Sequence, residues 1–331
     1  MRRGRAADGG GDPVTAARRW AGFDVGGQSV KAVLAGDNGR PVASARRPTG
    51  LDTSLDELAA ALGDALKEMS AGARVDGVGI GMAGVMGPDG ILKGSPNLPR
   101  LVGTAIETEL GDRLGCPVSV DNDANCAALA EGWVGAAAGA SDFLLVTLGS
   151  GVGSGLVIGG ELYHGTTGYA CELGHTVLVK DGRRCGCGNR GCLEAYVSES
   201  AARSLLEDAP AELRRVAGRL VSERGFGYAQ ALFALADEGD SRAREIAAAM
   251  IDALGAGLAS AVNLLDVTLV VIGGGIAPAV FDRIEQLEEA IDRSLFARPV
   301  SSLTIAAARC GSDAGAIGAA RAAMLAAEAV R

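Results

Sequence analysis

Three rhythms of apolar and polar positions alternate along the chain. Trp20 to Leu34, WAGFDVGGQSVKAVL, reads as an apolar strand, a glycine turn and a second strand. Phe143 to Ile158, FLLVTLGSGVGSGLVI, repeats that rhythm, with Phe23-Asp24-Val25-Gly26 aligning on Val146-Thr147-Leu148-Gly149. Two such hairpins opening two halves of one chain predict a duplicated fold. Helical spacing recurs between and after them. Leu55, Leu58, Leu62, Leu66 and Met69 fall on one face of a helix over 54–69, with Ser54 and Glu57 set as a capping box. Gly77 to Gly81, Pro117 to Val120 and Leu269 to Ala277 read as short buried strands. Residues 198–265 read as mostly helical, and Asp313 to Ala323 as a helix of small residues that packs closely on a neighbour. Strands alternating with helices predict an α/β protein in two halves.

A chain of 331 residues exceeds what one core usually organises, so two domains are expected. Apolar residues at 48% suffice for two cores, and the net charge of −9 argues against a general nucleic-acid binder. No uninterrupted apolar run reaches the eighteen or so residues of a membrane span. Arg2, Arg3 and Arg5 are followed by no apolar core of a secretory signal, and residues 1–19 read as a disordered tail. A cytoplasmic location is expected.

The most informative chemistry lies between Cys171 and Glu194, CELGHTVLVKDGRRCGCGNRGCLE. The chain has two histidines and seven cysteines, and His175, Cys185, Cys187 and Cys192 fall within one eighteen-residue stretch. Three thiolates and one imidazole complete a tetrahedral zinc set and leave no position for an activated water, which predicts a structural ion. Glu172 and Glu194 flank this knot and suit a ligand with several hydroxyls.

Other candidates are weaker when read alone. Gly26 and Gly27 allow positive φ and free amides for phosphate oxygens, with Asp24 placed to hold magnesium through water. An ordinary hairpin explains the same residues equally well. Asn97, in the Pro-bracketed SPNLPR loop, suits either a sugar hydroxyl or a plain turn. Asp121 to Asn125, DNDAN, ends a strand and opens a helix. Capping accounts for one or two of its polar residues and leaves a carboxylate at a strand end, where α/β proteins place chemistry. Gly273, Gly274 and Gly275 suggest a nucleotide loop. No Walker-type phosphate loop is present.

Together these pieces resemble the ROK family of sugar kinases, open reading frames and repressors, over roughly residues 20–325. Gly174-His175 followed by CGCGNRGCLEAY carries the resemblance most specifically, with DNDAN, DVGG and IGGGIA in the family's order. The resemblance implies the actin-like ATPase (ribonuclease H-like) fold, two α/β domains around a cleft. Residues 20–120 plus 311–331 would form one domain and 121–310, with the zinc motif, the other. It implies Asp123 as catalytic base and Asn97, Asn122, Glu172, His175 and Glu194 as sugar ligands together with Asp123. ATP and magnesium would fall to Asp24, Gly26, Gly27, Ser29, Lys31, Gly149, Ser150, Gly151 and the 273–275 glycines. His175 would serve zinc through one ring nitrogen and sugar through the other.

Four positions depart from the family pattern. Gln28 stands where threonine is usual, Ser150 replaces threonine in the second loop, Cys171 replaces a glycine before Glu172, and Arg100-Leu101 replaces an aromatic after the PNL segment. The last two lie near the sugar. The activity implied is ATP-dependent phosphorylation of glucose at its 6-hydroxyl, with N-acetylhexosamine or fructose as alternative acceptors. A sugar-sensing repressor and a polyphosphate-dependent enzyme rank lower. Homodimers or homotetramers are usual in the family, and neither nucleic-acid nor membrane partners are expected.

Overall fold

The computed structural model describes residues 18–87, 89–297 and 299–329. Its strands are β1 (Arg19–Val25), β2 (Ser29–Gly36), β3 (Pro41–Pro48), β4 (Gly77–Met82), β5 (Val85–Met86), β6 (Leu92–Gly94), β7 (Val118–Asn122), β8 (Phe143–Leu148), β9 (Val152–Ile158), β10 (Glu161–Leu162), β11 (Leu269–Gly273) and β12 (Thr304–Ala307). Its helices are α1 (Leu55–Ser70), α2 (Ile106–Leu114), α3 (Asp123–Val134), α4 (Glu194–Val197), α5 (Glu199–Glu207), α6 (Ala211–Arg224), α7 (Tyr228–Asp237), α8 (Ser241–Leu265), α9 (Ala277–Phe281), α10 (Ile284–Asp292) and α11 (Ala314–Ala329).

Two five-stranded sheets have matching order, β3-β2-β1-β4-β7 and β10-β9-β8-β11-β12. In each, a central strand pairs antiparallel with the strand that follows it and parallel with a later one. Asp24 of β1 lies beside Gly81, and Thr147 of β8 lies beside Gly273, so the aligned residues occupy the same place in the repeat. The duplication expected from the two hairpins is thus visible in the hydrogen-bonded ladders.

Local chemistry explains the elements that flank the site. At the start of α1, Ser54 N–H donates to Glu57 Oε2 at 2.8 Å and Glu57 N–H donates to Ser54 Oγ at 3.3 Å, closing the capping box. Leu58, Leu62 and Met69 then turn into the core beneath the first sheet. Small residues let α11 lie on that sheet backbone to backbone. A Cβ on Gly79 would stand 1.7 Å from Ala319 O, and one on Gly318 1.5 Å from Cys126 O of α3. A methyl group at either position would force the elements apart. α11 and α3 are thereby clamped together between the sheets.

Two expectations need adjustment. Residues 1–17 of the expected tail lie outside the described residues, but Arg19 already belongs to β1, and its N–H donates to Asp76 at 2.9 Å. α8 is also long and apolar enough to cross a membrane by length and composition, although Asp252 interrupts its apolar run. It packs instead as a core helix, burying Ile246, Met250, Leu254, Leu258 and Val262 among the helices of the second half.

Candidate active site

Asn122 is the last residue of β7 and the N-cap of α3. Its Oδ1 accepts from Ala124 N–H at 2.8 Å and Asn125 N–H at 3.3 Å, while its Nδ2 donates to Gly84 O at 3.2 Å. The cap fixes the next residue, Asp123, at the helix start. These consecutive residues open onto different cavities.

Asp123 faces the larger one, about 800 Å³, with Asp24, Lys31, Thr147, Gly149 and Gly273 to Gly275. The first residues of α11, Ala314 and Gly315, close one side, and Ala277, Pro278, Phe281 and Ala308 give an apolar wall. Helix starts present amide N–H groups and a positive dipole end, a setting that suits phosphate. Lys31 Nζ lies 3.5 Å from Asp24 Oδ2 and donates to Ser312 O at 2.9 Å. Burial raises the Asp24 carboxyl above its usual range, while Lys31 pulls it back. Asp123 is pushed up to about 6, first by burial and then by the charge of Asp24, with Glu172 adding to the rise and the Ala124 N–H opposing it. Asp123 is half-buried on the cavity wall. Asp24 and Asp123 line the same cavity and give it the oxygen-rich setting that a hard divalent cation favours.

The smaller cavity, about 300 Å³, is lined by Asn122 and Glu172 together with Glu107, Asp121, Asn125, Ser154 and His164. Ser154 Oγ accepts from Leu173 N–H at 3.1 Å and donates to Cys171 O, which holds the segment carrying Glu172 against β9. Cys171, at the position where the family pattern has glycine, sits in the left-handed region at φ 63°. That conformation explains why glycine suits the site.

The Cys3His cluster begins three residues after Glu172 along the chain. The ligand atoms of His175, Cys185, Cys187 and Cys192 all lie within 4.8 Å of one another. Cys185 Sγ is 3.7 Å from His175 Nδ1, and Cys187 Sγ is 3.7 Å from Cys192 Sγ. A tetrahedral ion with sulfur bonds of about 2.3 Å separates its sulfurs by about 3.8 Å, so the cluster fits, and a disulfide at about 2.0 Å does not. All seven cysteines are free.

The remaining expected residues sit around these cavities. Glu194 accepts from Val152 N–H at 3.0 Å and from the Cys185 thiol at 3.4 Å, so its carboxylate ties the second glycine turn to the knot. Asn97 packs against the first turn, its Oδ1 3.1 Å from where a Cβ on Gly27 would stand. Gly26, Gly27, Ser29, Ser150 and Gly151 are outside the wall of the larger cavity. The backbone of the turn glycines differs from the expectation. Neither Gly26 nor Gly27 adopts positive φ, and the Gly26 N–H donates to Ser29 O at 3.1 Å. Gly149 N–H likewise donates to Gly151 O at 3.0 Å, because two-strand turns close on their own amides. Of the expected nucleotide glycines only Gly274 is left-handed, at φ 91°, where a Cβ would stand 2.2 Å from Leu148 O. Sequence reading passed over His164 and gave Asp121 no role. Asp121 was visible in DNDAN, whereas His164 has no neighbouring motif to mark it.

The ROK family profile matches residues 20–326. The chain is 32% identical to a glucokinase of Thermotoga maritima, over 90% of this chain and 95% of that one. It is 33% identical to an N-acetyl-D-glucosamine kinase of Pectobacterium carotovorum, over 80% and 86%. The structure superposes on a ROK family glucokinase from Streptomyces griseus in complex with glucose and AMPPNP with a TM-score of 0.78 at 30% identity, covering 93% of this chain and 99% of that one. The two sheets and their cleft have the actin-like ATPase architecture of these kinases. The chain belongs to the ROK family.

Proposed function

We propose that the protein transfers the γ-phosphoryl group of ATP to the 6-hydroxyl of glucose, with Asp123 as the proton acceptor. One observation carries the reading: Asn122 and Asp123 are consecutive, yet they line separate cavities. A donor on one side and an acceptor on the other would therefore meet at a single carboxylate. The larger cavity has the apolar wall for a base, the helix starts for phosphates and Lys31 for a negative charge. The smaller has Asn122 and Glu172 for sugar hydroxyls. Asn97, His175 and Glu194 would join them on closure of the domain formed by 20–120 and 311–331 over that formed by 121–310, which also excludes water.

In this mechanism the sugar hydroxyl attacks the γ-phosphorus in line while Asp123 Oδ takes its proton late, as charge leaves the oxygen. The raised position of Asp123 brings its proton affinity closer to that of the reacting group. Positioning by the capped start of α3 and by the cavity walls supplies much of the acceleration. Asp24, with Asp123 beside it, would hold magnesium, which when bound neutralises phosphate charge. Ser29, Gly26, Gly27, Ser150 and Gly151 would approach the phosphates as the hairpin tips close. His175, Cys185, Cys187 and Cys192 would hold a structural zinc, which when bound fixes the loop between Glu172 and Glu194. The free cysteines suit a cytoplasmic enzyme, and we expect a homodimer or homotetramer.

The N-acetylhexosamine reading is kept because the Pectobacterium relative is named for that substrate. ADP release from ATP and magnesium, measured across glucose, fructose, mannose and the N-acetylhexosamines, tests the assignment. Glucose should give the highest kcat/KM, and a higher value for an N-acetylated sugar would move the assignment there.

A further inference from the structure

Residues 163–170 cross from the second half to the first. They leave β10 with Tyr163 N–H donating to Leu156 O at 2.8 Å and close on themselves through Ala170 N–H to His164 O at 3.2 Å. Two contacts fasten this strap to the first half. At Gly168, φ is 84° and a Cβ would stand 2.6 Å from Met86 O of β5. At His164, Nε2 lies 2.7 Å from Asp121 Oδ2 at the end of β7. The strap thus roofs the smaller cavity, whose wall includes His164, Gly165, Thr166, Gly168 and Ala170.

Asp121 passes this contact inward. Its Oδ1 accepts from Asn125 Nδ2 at 2.8 Å and from Asn122 N–H at 2.7 Å. Asn122 in turn caps α3 and so sets Asp123. A four-residue relay therefore runs from a histidine of the strap, through an aspartate at the end of β7 in the first sheet, to the start of the helix that presents the proposed base. The other charged groups on the cavity wall are Glu107 of α2, which accepts from Val120 N–H at 2.9 Å, and Glu172. Among the described residues lining the cavity there is no lysine or arginine, so His164 is the group there able to bring positive charge.

We propose that His164 and Asp121 form a latch that holds the strap over the acceptor cavity, which makes His164 a positioning residue for sugar binding. The inference rests on the kinase reading only for its kinetic consequence. A protonated imidazole makes the stronger, charge-assisted bond to a carboxylate. Asp121 holds the His164 ring above its ordinary range, and the Leu162 carbonyl adds to that, against a smaller opposing effect of burial. A raised imidazole gives the latch its full strength at low pH and loses it as pH rises through the raised value. The ring is half-exposed, so the effect is graded.

The test combines hydrogen–deuterium exchange of 163–170 in the full chain with glucose and ATP kinetics at pH 6 and pH 8. Wild type is compared with His164→Ala and His164→Arg, the latter a fixed cation able to reach Asp121. Wild type should lose protection in the strap at pH 8, beyond the intrinsic rate change. Its glucose KM should rise about three- to tenfold, as expected for weakening a partly exposed charged bond, while the ATP KM stays put. His164→Ala should exchange fast and show the high glucose KM at both pH values, and His164→Arg should stay protected with a low KM at both. Glucose KM is compared among the three proteins at each pH, so any effect of Asp123 titration common to them cancels. Strap protection and glucose KM unchanged in His164→Ala would overturn the latch, as would pH-independent protection in wild type. If wild type phosphorylates no hexose yet its strap protection follows pH as described, the latch stands and the kinase reading falls.

Discussion

The two cavities that adjoin at Asn122 and Asp123 share acidic residues but differ in what accompanies them. The larger has Lys31 beside Asp24, Asp123 and Glu131, with the starts of α3 and α11 and an apolar wall containing Phe281. The smaller has Glu107, Asp121 and Glu172 on its wall. An anion with a flat apolar group suits the first, and a neutral compound with many hydroxyls suits the second. The contrast gives direction to the reaction: Lys31, the helix starts and a cation held by Asp24 would admit phosphate charge on one side of Asp123, and the smaller cavity has no lysine or arginine among its described lining residues. A phosphorylated product in the smaller cavity would face three carboxylates, which favours its release.

The largest expected effect comes from removing the group between the cavities. Asp123→Ala should lower kcat by about a thousandfold or more, the upper range for loss of a general base, with glucose Kd by calorimetry little changed. Near-normal turnover would take Asp123 out of the mechanism and leave the two cavities unconnected.

Next comes the Cys3His knot, which follows Glu172 of the smaller cavity along the chain. Serine at Cys185, Cys187 and Cys192 together should abolish zinc binding, measured by metal analysis. Glucose affinity should fall by about ten- to a hundredfold, as for lost support of a site, with ATP affinity much less changed. Equal losses for both ligands would mean that the knot supports the whole fold and not one side of it.

A pH series sharpens the same contrast. Because Asp123 sits near 6, kcat/KM should fall about tenfold per unit below that value and level off above it. Stability runs the opposite way. A carboxyl raised in the folded state contributes stability that is present below its ordinary value, about 3.9, and lost as pH rises through 6. Asp123→Asn should therefore melt a few degrees above wild type at pH 8, with the gain fading near pH 4. A gain that does not vary with pH would mean the carboxylate is not strained by burial and by Asp24.

The smallest effect concerns Cys171. Its φ of 63° costs a residue with a Cβ about 1 kcal/mol relative to glycine. Cys171→Gly should raise stability by about that amount in urea titrations. A loss of stability would show that the packing of its thiol against the second core outweighs the strain.

Much of the fold was legible because burial imposes periodicity. The hairpins at 20–34 and 143–158, the capped helix α1 and the small-residue helix α11 follow from spacing and local capping alone. The cluster of His175, Cys185, Cys187 and Cys192 was legible because cysteine is rare and its spacing is chemically restrictive. The walls of the smaller cavity were not. His164 meets Asp121 across 43 positions of sequence, and only the packing of the strap onto β5 brings them together. The packing around the turn glycines was hidden for a related reason. Gly27 and Gly151 matter because Asn97 and Glu194 approach them, which neither backbone freedom nor local pattern reveals.

The most direct measurement follows the phosphorus. Incubation with ATP, magnesium and glucose, read by phosphorus NMR, should give ADP and a phosphate ester on the 6-oxygen in equal amounts. ATP that stays intact with glucose and with every other neutral hexose, or phosphate released only to water, would contradict the division of donor and acceptor on either side of Asp123.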